Sequence, residues 1–325
     1  MNPSQPLSAA MMDASTSPSA LIQAIEGFKA RVCTYAHGGE ERQISYRSSL
    51  QTSDGVGEEK GVTHVLLHGI GSGSQSWLYQ LQFARANGDK KAGVQGLGEV
   101  LAWDAPGYAL STPLHNLAPT PQEYAQQFWA WLDAFEIQSG VQSNELTLVG
   151  HSLGCLMATA AQKLRPNRVK RLVLLSPAIG YAAAAEEVRV AKREDRLKNL
   201  NLLGPKGMAE KRGHAMLHAP VSEELLDYVK FIMAQVIPHG YQQATHMLSN
   251  ADLLQELESV GCALSVASGD QDVITPLGSC QSVAAKKNVP HQVLIGAGHA
   301  CHLQTPDVVT QLIFESEQRS EQIHG

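Results

Sequence analysis

The stretch Leu146-Thr147-Leu148-Val149-Gly150-His151-Ser152-Leu153-Gly154 decides the fold of this chain. Its first four residues predict a buried strand, and the small and apolar residues from Cys155 to Ala161 predict a helix. A strand that breaks at Gly-x-Ser-x-Gly and continues as a helix is a nucleophile elbow, with the serine hydroxyl exposed at the positive end of the helix. The stretch therefore indicates a serine hydrolase with Ser152 as its nucleophile.

Strand and helix patterns alternate on both sides of this elbow. Besides the elbow strand, the sequence predicts strands over Val62–Leu67, Glu99–Trp103, Val169–Leu175, Ala263–Ser268 and Gln292–Ile295, after an antiparallel hairpin of Arg31–His37 and Arg42–Ser49. Such alternation requires a parallel sheet with right-handed crossovers. We therefore predict an α/β fold with a mostly parallel central sheet of about eight strands, flanked by helices.

Residues 177–245 interrupt the alternation. They show no strand-like pattern and contain short helical patterns rich in Leu, Met and Ala. We predict that they form a helical cap, inserted after the sixth strand between core segments 26–176 and 246–325. The stretch Glu186–Lys198 holds five basic and four acidic residues, so we expect a solvated helix face there. Residues 1–25 begin Ser-, Ala- and Pro-rich without an early Lys or Arg, which predicts a disordered tail and not a secretory signal.

The composition excludes several classes of protein. The chain has 325 residues and a net charge of −6, which leaves no basic surface for nucleic acid and no polybasic membrane anchor. No apolar run approaches the roughly 20 residues that span a bilayer. The five cysteines are odd in number and scattered, which favours buried free thiols in a reducing compartment. We expect a cytoplasmic protein, either a monomer or a homodimer.

The remaining catalytic groups are expected on loops at the carboxyl ends of strands, where a parallel sheet builds its sites. A serine needs a base to take its proton and an acid to orient that base. Asp270 and Asp272 follow one predicted strand, and His299 follows the last one. The order serine, acid, histidine is the one expected on this sheet topology. We predict that Ser152, one of these carboxylates and His299 converge at one edge.

Four separated pieces of the chain resemble the α/β-hydrolase fold superfamily. They are His68-Gly69-Ile70-Gly71, Asp104-x-Pro106-Gly107-Tyr108, the elbow, and Gly269-x-x-Asp272-x-x-x-Pro276 with Gly298-His299. The resemblance implies that the acid stands three residues after Gly269, which selects Asp272 and leaves Asp270 as a turn residue.

The resemblance also bears on the loops around the nucleophile. Leu153, at the start of the elbow helix, offers a backbone N–H to the developing oxyanion, and the resemblance implies Ile70 as the second donor. It implies a structural role for His68, and we expect His151 to pack away from the site. Ala109 and Gln304 depart from the pattern, which often has glycine and glutamate there. We expect a stiffer loop at Ala109 and modestly altered pKa values near Gln304.

No cofactor or metal is predicted. The pairs His299-x-x-His302, with Cys301 between them, and His214-x-x-x-His218 have ligand-like spacing. Neither has the carboxylate partners or the His-Glu-x-x-His form of a zinc enzyme.

The expected reaction is hydrolysis of a carboxylic ester, thioester or lactone through an acyl-enzyme. The substrate would be a small molecule held in a mainly apolar pocket under the cap, residues 177–245. Five alternatives remain open: an enol-lactonase, a hydrolase of a small carbamate or enamine-type metabolite, a carbon–carbon bond hydrolase, a cofactor-free perhydrolase, and a ligand-sensing relative without catalysis. Ala300 argues against the carbon–carbon hydrolases, because the resemblance implies a tryptophan after the histidine in many of them.

Overall fold

The computed structural model describes residues 19–50, 61–88, 97–141, 143 and 145–314. These residues form an eight-stranded sheet in the order β1-β2-β4-β3-β5-β6-β7-β8. The strands are β1 (Arg31–His37), β2 (Glu40–Ser48), β3 (Val62–Leu67), β4 (Glu99–Trp103), β5 (Leu146–His151), β6 (Val169–Leu175), β7 (Ala263–Gly269) and β8 (His291–Leu294). Only β1–β2 and β2–β4 pair antiparallel, so the predicted mostly parallel sheet is confirmed.

Helices cover both faces of the sheet. They are α1 (Ala20–Glu26), α2 (Leu78–Asn87), α3 (Pro121–Ser139), α4 (Gly154–Leu164), α5 (Glu186–Arg212), α6 (Glu223–Ala234), α7 (Pro238–Asn250), α8 (Leu253–Glu256), α9 (Leu277–Lys286), α10 (Cys301–Gln304) and α11 (Pro306–Phe314). Neighbouring residues of β3 belong to different buried clusters, with Val65 and Leu67 in one and Leu66 in the other. Because successive side chains point to opposite faces, a strand segment covered on both sides is a continuous apolar run, as Val65–Leu67 is.

The structure corrects the predicted tail at residues 20–25. These residues form most of α1, whose start is capped by the Ser19 hydroxyl accepting a hydrogen bond from the Ile22 N–H. Ile25 is buried with Phe28 in the cluster under α2. The apolar spacing of Leu21, Ile22 and Ile25 explains the docking, since it provides one apolar helix face.

Parts of two predicted segments fall outside the described residues. They are residues 1–18 of the tail and residues 315–325 of the second core segment. None of the described helices combines the length and the apolar character needed to cross a bilayer.

Three long helices, α5 to α7, lie between β6 and β7, and we refer to residues 177–250 as the cap. α7 continues to Asn250 and so passes the predicted boundary at residue 245. α5 is interrupted at Gly204, which has φ 62° and ψ 178°. Pro205 explains this break, because proline disfavours helical geometry in the residue before it and cannot donate a backbone hydrogen bond. Helix α5 therefore consists of two halves, one before and one after Gly204, that run in different directions.

Candidate active site

Ser152 lies on the sharp turn between β5 and α4. It has φ 53°, a left-handed conformation that is rare outside glycine, and its N–H donates to the Leu175 carbonyl at 2.9 Å. Gly154 sits so close to β3 that a Cβ there would lie 2.2 Å from the Leu67 oxygen. The strand, turn and helix predicted from the sequence are confirmed, and they hold the Ser152 backbone in a strained geometry.

Asp272, on the loop after β7, and His299, on the loop after β8, form a buried pair. The imidazole Nδ1 and carboxylate Oδ2 are 2.9 Å apart, and both side chains are almost wholly inaccessible. The other carboxylate oxygen accepts the N–H groups of Ile274 and Thr275 at 2.8 and 2.9 Å. Burial by itself raises the pKa of Asp272, but the hydrogen bonds from His299 and Thr275 outweigh it and hold that pKa well below its usual range. Asp272 is therefore a charged acceptor.

Thr275 is a site residue that the sequence prediction missed. Its hydroxyl lies 2.7 Å from Asp272 Oδ2, 3.1 Å from the Ser176 carbonyl and 3.2 Å from His299 Nδ1. The spacing Asp-x-x-Thr could have revealed it, because an aspartate often accepts hydrogen bonds from residues two and three positions on. Asp270, the rejected alternative, is a turn residue as predicted, and it accepts the Gly296 N–H at 2.8 Å.

Ser152 and His299 border one cavity. Among the described residues, the Ser152 hydroxyl and the His299 imidazole are not hydrogen-bonded to each other, and His299 Nδ1 instead contacts Asp272 and Thr275. His151 points behind the site, where its Nε2 donates to the His299 carbonyl at 2.8 Å. Burial, aided by the neighbouring His299, lowers the pKa of His151 to about 3, so its ring is neutral. The predicted packing role of His151 is confirmed.

The loop after β3 brings Ile70 beside Ser152. A Cβ on Gly69 would lie 2.9 Å from the Ser152 Cβ, so glycine permits the approach. Ile70 borders the same cavity as Ser152. Within the described chain, neither the Ile70 nor the Leu153 N–H donates to a protein group. Both backbone donors predicted for the oxyanion therefore lack a protein acceptor among the described residues.

His68 joins that loop to the loop after β4, as predicted. Its Nδ1 donates to the Gly69 carbonyl at 2.8 Å, and its Nε2 accepts the Ala105 N–H at 3.0 Å. Asp104 accepts the Ser74 N–H at 2.7 Å and the Ser45 hydroxyl at 2.8 Å. Both side chains hold loops and do not reach the cavity.

The cavity has a volume of about 390 Å³. Much of its wall is apolar, as predicted, and includes Ile70, Ala178, Ile179, Met208, Met216, Met233, Val236, Leu248 and Ile274. The wall also contains Arg196 and Arg212, which the prediction of a mainly apolar pocket did not anticipate. Arg196 belongs to the stretch predicted as a solvated helix face, so that prediction is wrong for this residue.

Gln304 connects the histidine loop to the cap. Its Oε1 accepts the N–H groups of Gly298 and His218 at 2.8 and 2.9 Å, and its Nε2 donates to the His218 carbonyl at 2.9 Å. The sequence prediction considered Gln304 only for local pKa values. Its three hydrogen bonds indicate a positioning role, which residue type alone does not reveal.

No group of three His, Cys, Asp or Glu side chains suited to a metal occurs in the part of the chain that the structure describes. His302 instead packs its ring against His151 and Trp77, with ring centroids 4.4 and 4.7 Å apart. The five cysteines are free thiols, and four of them are buried.

Comparisons with known proteins agree with this architecture. A model of the alpha/beta hydrolase family matches residues 65–312. The chain is 25% identical over 267 residues to the (E)-2-((N-methylformamido)methylene)succinate hydrolase of Acinetobacter baylyi, covering 81% of this chain and 93% of that protein.

Solved structures show the same fold. An esterase from Thermogutta terrifontis is similar with a TM-score of 0.70 at 18% identity, covering 91% of this chain and all of the other. The enol-lactonase from Burkholderia xenovorans LB400 has a TM-score of 0.69 at 18% identity, covering 86% and 97%. Since the family model matches most of the chain, this protein belongs to the alpha/beta hydrolase family.

Proposed function

We propose that this protein is a serine hydrolase that cleaves a carboxylic ester, thioester or lactone through an acyl-enzyme. One observation carries the proposal. Ser152, on its strained turn, borders the same cavity as His299, whose second nitrogen is paired with the buried carboxylate of Asp272. A nucleophile, a base and a group that orients the base are thus available together.

In the first half of the reaction, Ser152 Oγ attacks the substrate carbonyl carbon while His299 Nε2 takes the hydroxyl proton. The N–H groups of Ile70 and Leu153 bind the oxyanion that forms. The bond to the leaving group then breaks, and His299 returns its proton to the departing oxygen or sulfur. Asp272 stabilises the imidazolium in between, and the acyl group remains on Ser152.

In the second half, His299 takes a proton from water as the water oxygen attacks the acyl carbon. The same two N–H groups bind the second oxyanion. The bond to Ser152 Oγ breaks, His299 returns the proton to that oxygen, and the carboxylic acid leaves. No cofactor enters either half.

The Acinetobacter relative favours a second candidate, hydrolysis at nitrogen. Its name gives an N-methylformamido methylene succinate as the compound hydrolysed. In such a compound the acyl group is bonded to nitrogen, so Ser152 would accept it while His299 protonates the departing nitrogen. The candidate uses the same residues and differs only in the leaving group.

The test is turnover of p-nitrophenyl acetate and butyrate by the wild type and by Ser152→Ala. We expect the variant to lose at least about 10³-fold in kcat/KM, because no other group supplies the nucleophile. Ser282→Ala is the matched control, since that hydroxyl donates to the Ser279 carbonyl within α9. Equal rates for wild type and Ser152→Ala would contradict the proposal. A fluorophosphonate label mapped to a residue other than Ser152 would contradict the assignment of the nucleophile.

A further inference from the structure

Two guanidinium groups face the active-site cavity without an acidic partner. Arg196 and Arg212 border it together with Ser152 and His299, and no described aspartate or glutamate contributes to its wall. Neither arginine has a carboxylate oxygen within 4 Å among the described residues. The cavity therefore carries positive charge that this part of the chain does not neutralise.

The shape of α5 brings both arginines to the cavity. Arg196 lies on the half of the helix before Gly204, and Arg212 is the last residue of the half after it. Met208, from the second half, also borders the cavity. The break at Gly204 thus lets two segments of one helix reach the same space. By contrast, Lys192 on the first half is exposed.

Arg196 is held among phenol groups. Burial acts to lower its pKa, while Tyr241 and Tyr181 act in the opposite direction and leave the pKa above its ordinary value. Both tyrosines also border the cavity. A guanidinium in such a place stays charged, and a largely buried charge without a counter-charge is unfavourable. Such unpaired charges are typical of places where a ligand supplies the counter-charge.

We propose that Arg196 and Arg212 bind a carboxylate of the substrate, so that the enzyme acts on small acyl compounds that carry a carboxylate away from the scissile bond. This inference rests on the proposed function, because it concerns the same cavity. A guanidinium presents parallel N–H donors that match the two oxygens of a carboxylate. The apolar wall formed by Met233, Val236 and Leu248 suits the carbon chain between the two ends of such a substrate.

The test uses p-nitrophenyl butyrate as a neutral substrate and glutarate as an inhibitor. We expect glutarate to compete with the ester in the wild type and the neutral 1,5-pentanediol, which has no bond that a hydrolase could cleave, to compete far less. Arg196→Met should raise the inhibition constant of glutarate by about 10- to 100-fold, the effect of losing a hydrogen bond between charged groups. Arg212→Met should act in the same direction. Lys192→Met, on the exposed side of α5, should bind glutarate like the wild type.

Each outcome bears on one of the two proposals. Ser152-dependent butyrate hydrolysis with equal glutarate inhibition in wild type and Arg196→Met would overturn the carboxylate site and leave the serine hydrolase standing. If butyrate is not cleaved, titration calorimetry with glutarate still compares the two proteins, and absence of binding by the wild type would overturn the inference. Tighter binding of inorganic phosphate than of glutarate would overturn the choice of carboxylate. Arg196→Lys, which keeps the charge but not the paired donors, should be intermediate and serves if the Met variant does not fold.

Discussion

The sheet side of the active site, where Asp272 lies behind His299, and the cap side of the cavity differ in how their charged groups are paired. On the sheet side, the Asp272 carboxylate has His299, Thr275 and the Ile274 N–H as hydrogen-bond partners, and almost none of it is exposed. On the cap side, Arg196 and Arg212 meet no carboxylate within the described residues. The paired charge on the sheet side suits catalysis, and the unpaired charges on the cap side suit recognition of a substrate.

The largest expected loss of activity follows from a change on the sheet side, at Asp272. Asp272→Asn keeps the size of the side chain but removes the charge that stabilises the imidazolium and the acceptor that selects its tautomer. We expect kcat on p-nitrophenyl butyrate to fall by about 10⁴-fold, while circular dichroism shows a folded protein.

Asp270→Asn is the control for that variant. Its side chain is a turn residue, and an asparagine oxygen can still accept the Gly296 N–H. We expect kcat within about twofold of the wild type, the scatter of a neutral surface change. A larger loss from Asp270→Asn than from Asp272→Asn would reverse the assignment of the acid.

A second test concerns the free energy of unfolding at acidic pH, to which the buried His64 of the sheet contributes. Burial, with smaller contributions from Lys170 and Arg171, lowers the pKa of His64 on β3 to about 3. In the unfolded chain the ordinary value is about 6.5, so between these values the unfolded state binds a proton that the folded state does not. The contribution of His64 to folding stability is therefore greatest above about pH 6.5 and falls as the pH drops, by up to about 1.4 kcal/mol per pH unit.

His64→Gln removes that titration. Urea unfolding between about pH 4 and pH 7 should show a shallower loss of stability in the variant than in the wild type. Lys192→Met, in the cap, should leave the slope unchanged. An unchanged slope in His64→Gln would show that His64 does not contribute to the acid sensitivity.

A smaller loss of activity is expected at Gln304, which links the histidine loop of the sheet side to the cap. Gln304→Ala removes three hydrogen bonds that tie the histidine loop to His218 in the cap. We expect kcat to fall by about 3- to 10-fold with little change in KM, because His299 is less well positioned. Gln304→Glu keeps the acceptor and loses the donor, so its loss should be smaller. Equal activity in all three proteins would show that the link does not position His299.

The smallest expected effect concerns the loop after β4. Ala109 has φ 46° and an exposed side chain, so the structure adds backbone strain to the stiffening expected from the sequence. Ala109→Gly relieves that strain but increases the freedom of the unfolded chain. We expect a gain in unfolding free energy of up to about 1 kcal/mol by urea titration, with unchanged activity. A destabilised variant would mean that the loop tolerates the alanine without strain.

Much of the sheet side of the active site could be predicted, because the sequence patterns that specify it span only a few residues. The run Leu146–Val149 and the glycines around Ser152 specify a strand and a tight turn within a few residues. The loops that carry Asp272 and His299 each follow a recognisable strand, and parallel strands end at one edge. Thr275 was missed although its spacing from Asp272 is short, because a threonine three residues after an aspartate is common.

The cap could be predicted only as helical. Helical periodicity predicts which residues share one face of a helix, but it does not predict which other part of the protein that face contacts. Arg196 lies among charged neighbours in the sequence, and its position in the cavity follows from the break at Gly204 and from the packing of α5 beside α7. The link through Gln304 likewise joins residues 86 positions apart.

The sequence by itself determined the order of strands and helices, the nucleophile turn and the candidate acid and base. Those features depend on backbone preferences and apolar patterns that act over a few residues. Only the tertiary structure decided which polar side chains border the cavity and which of them lack a partner. That outcome depends on contacts between distant segments, and such contacts exist only once the whole chain is packed.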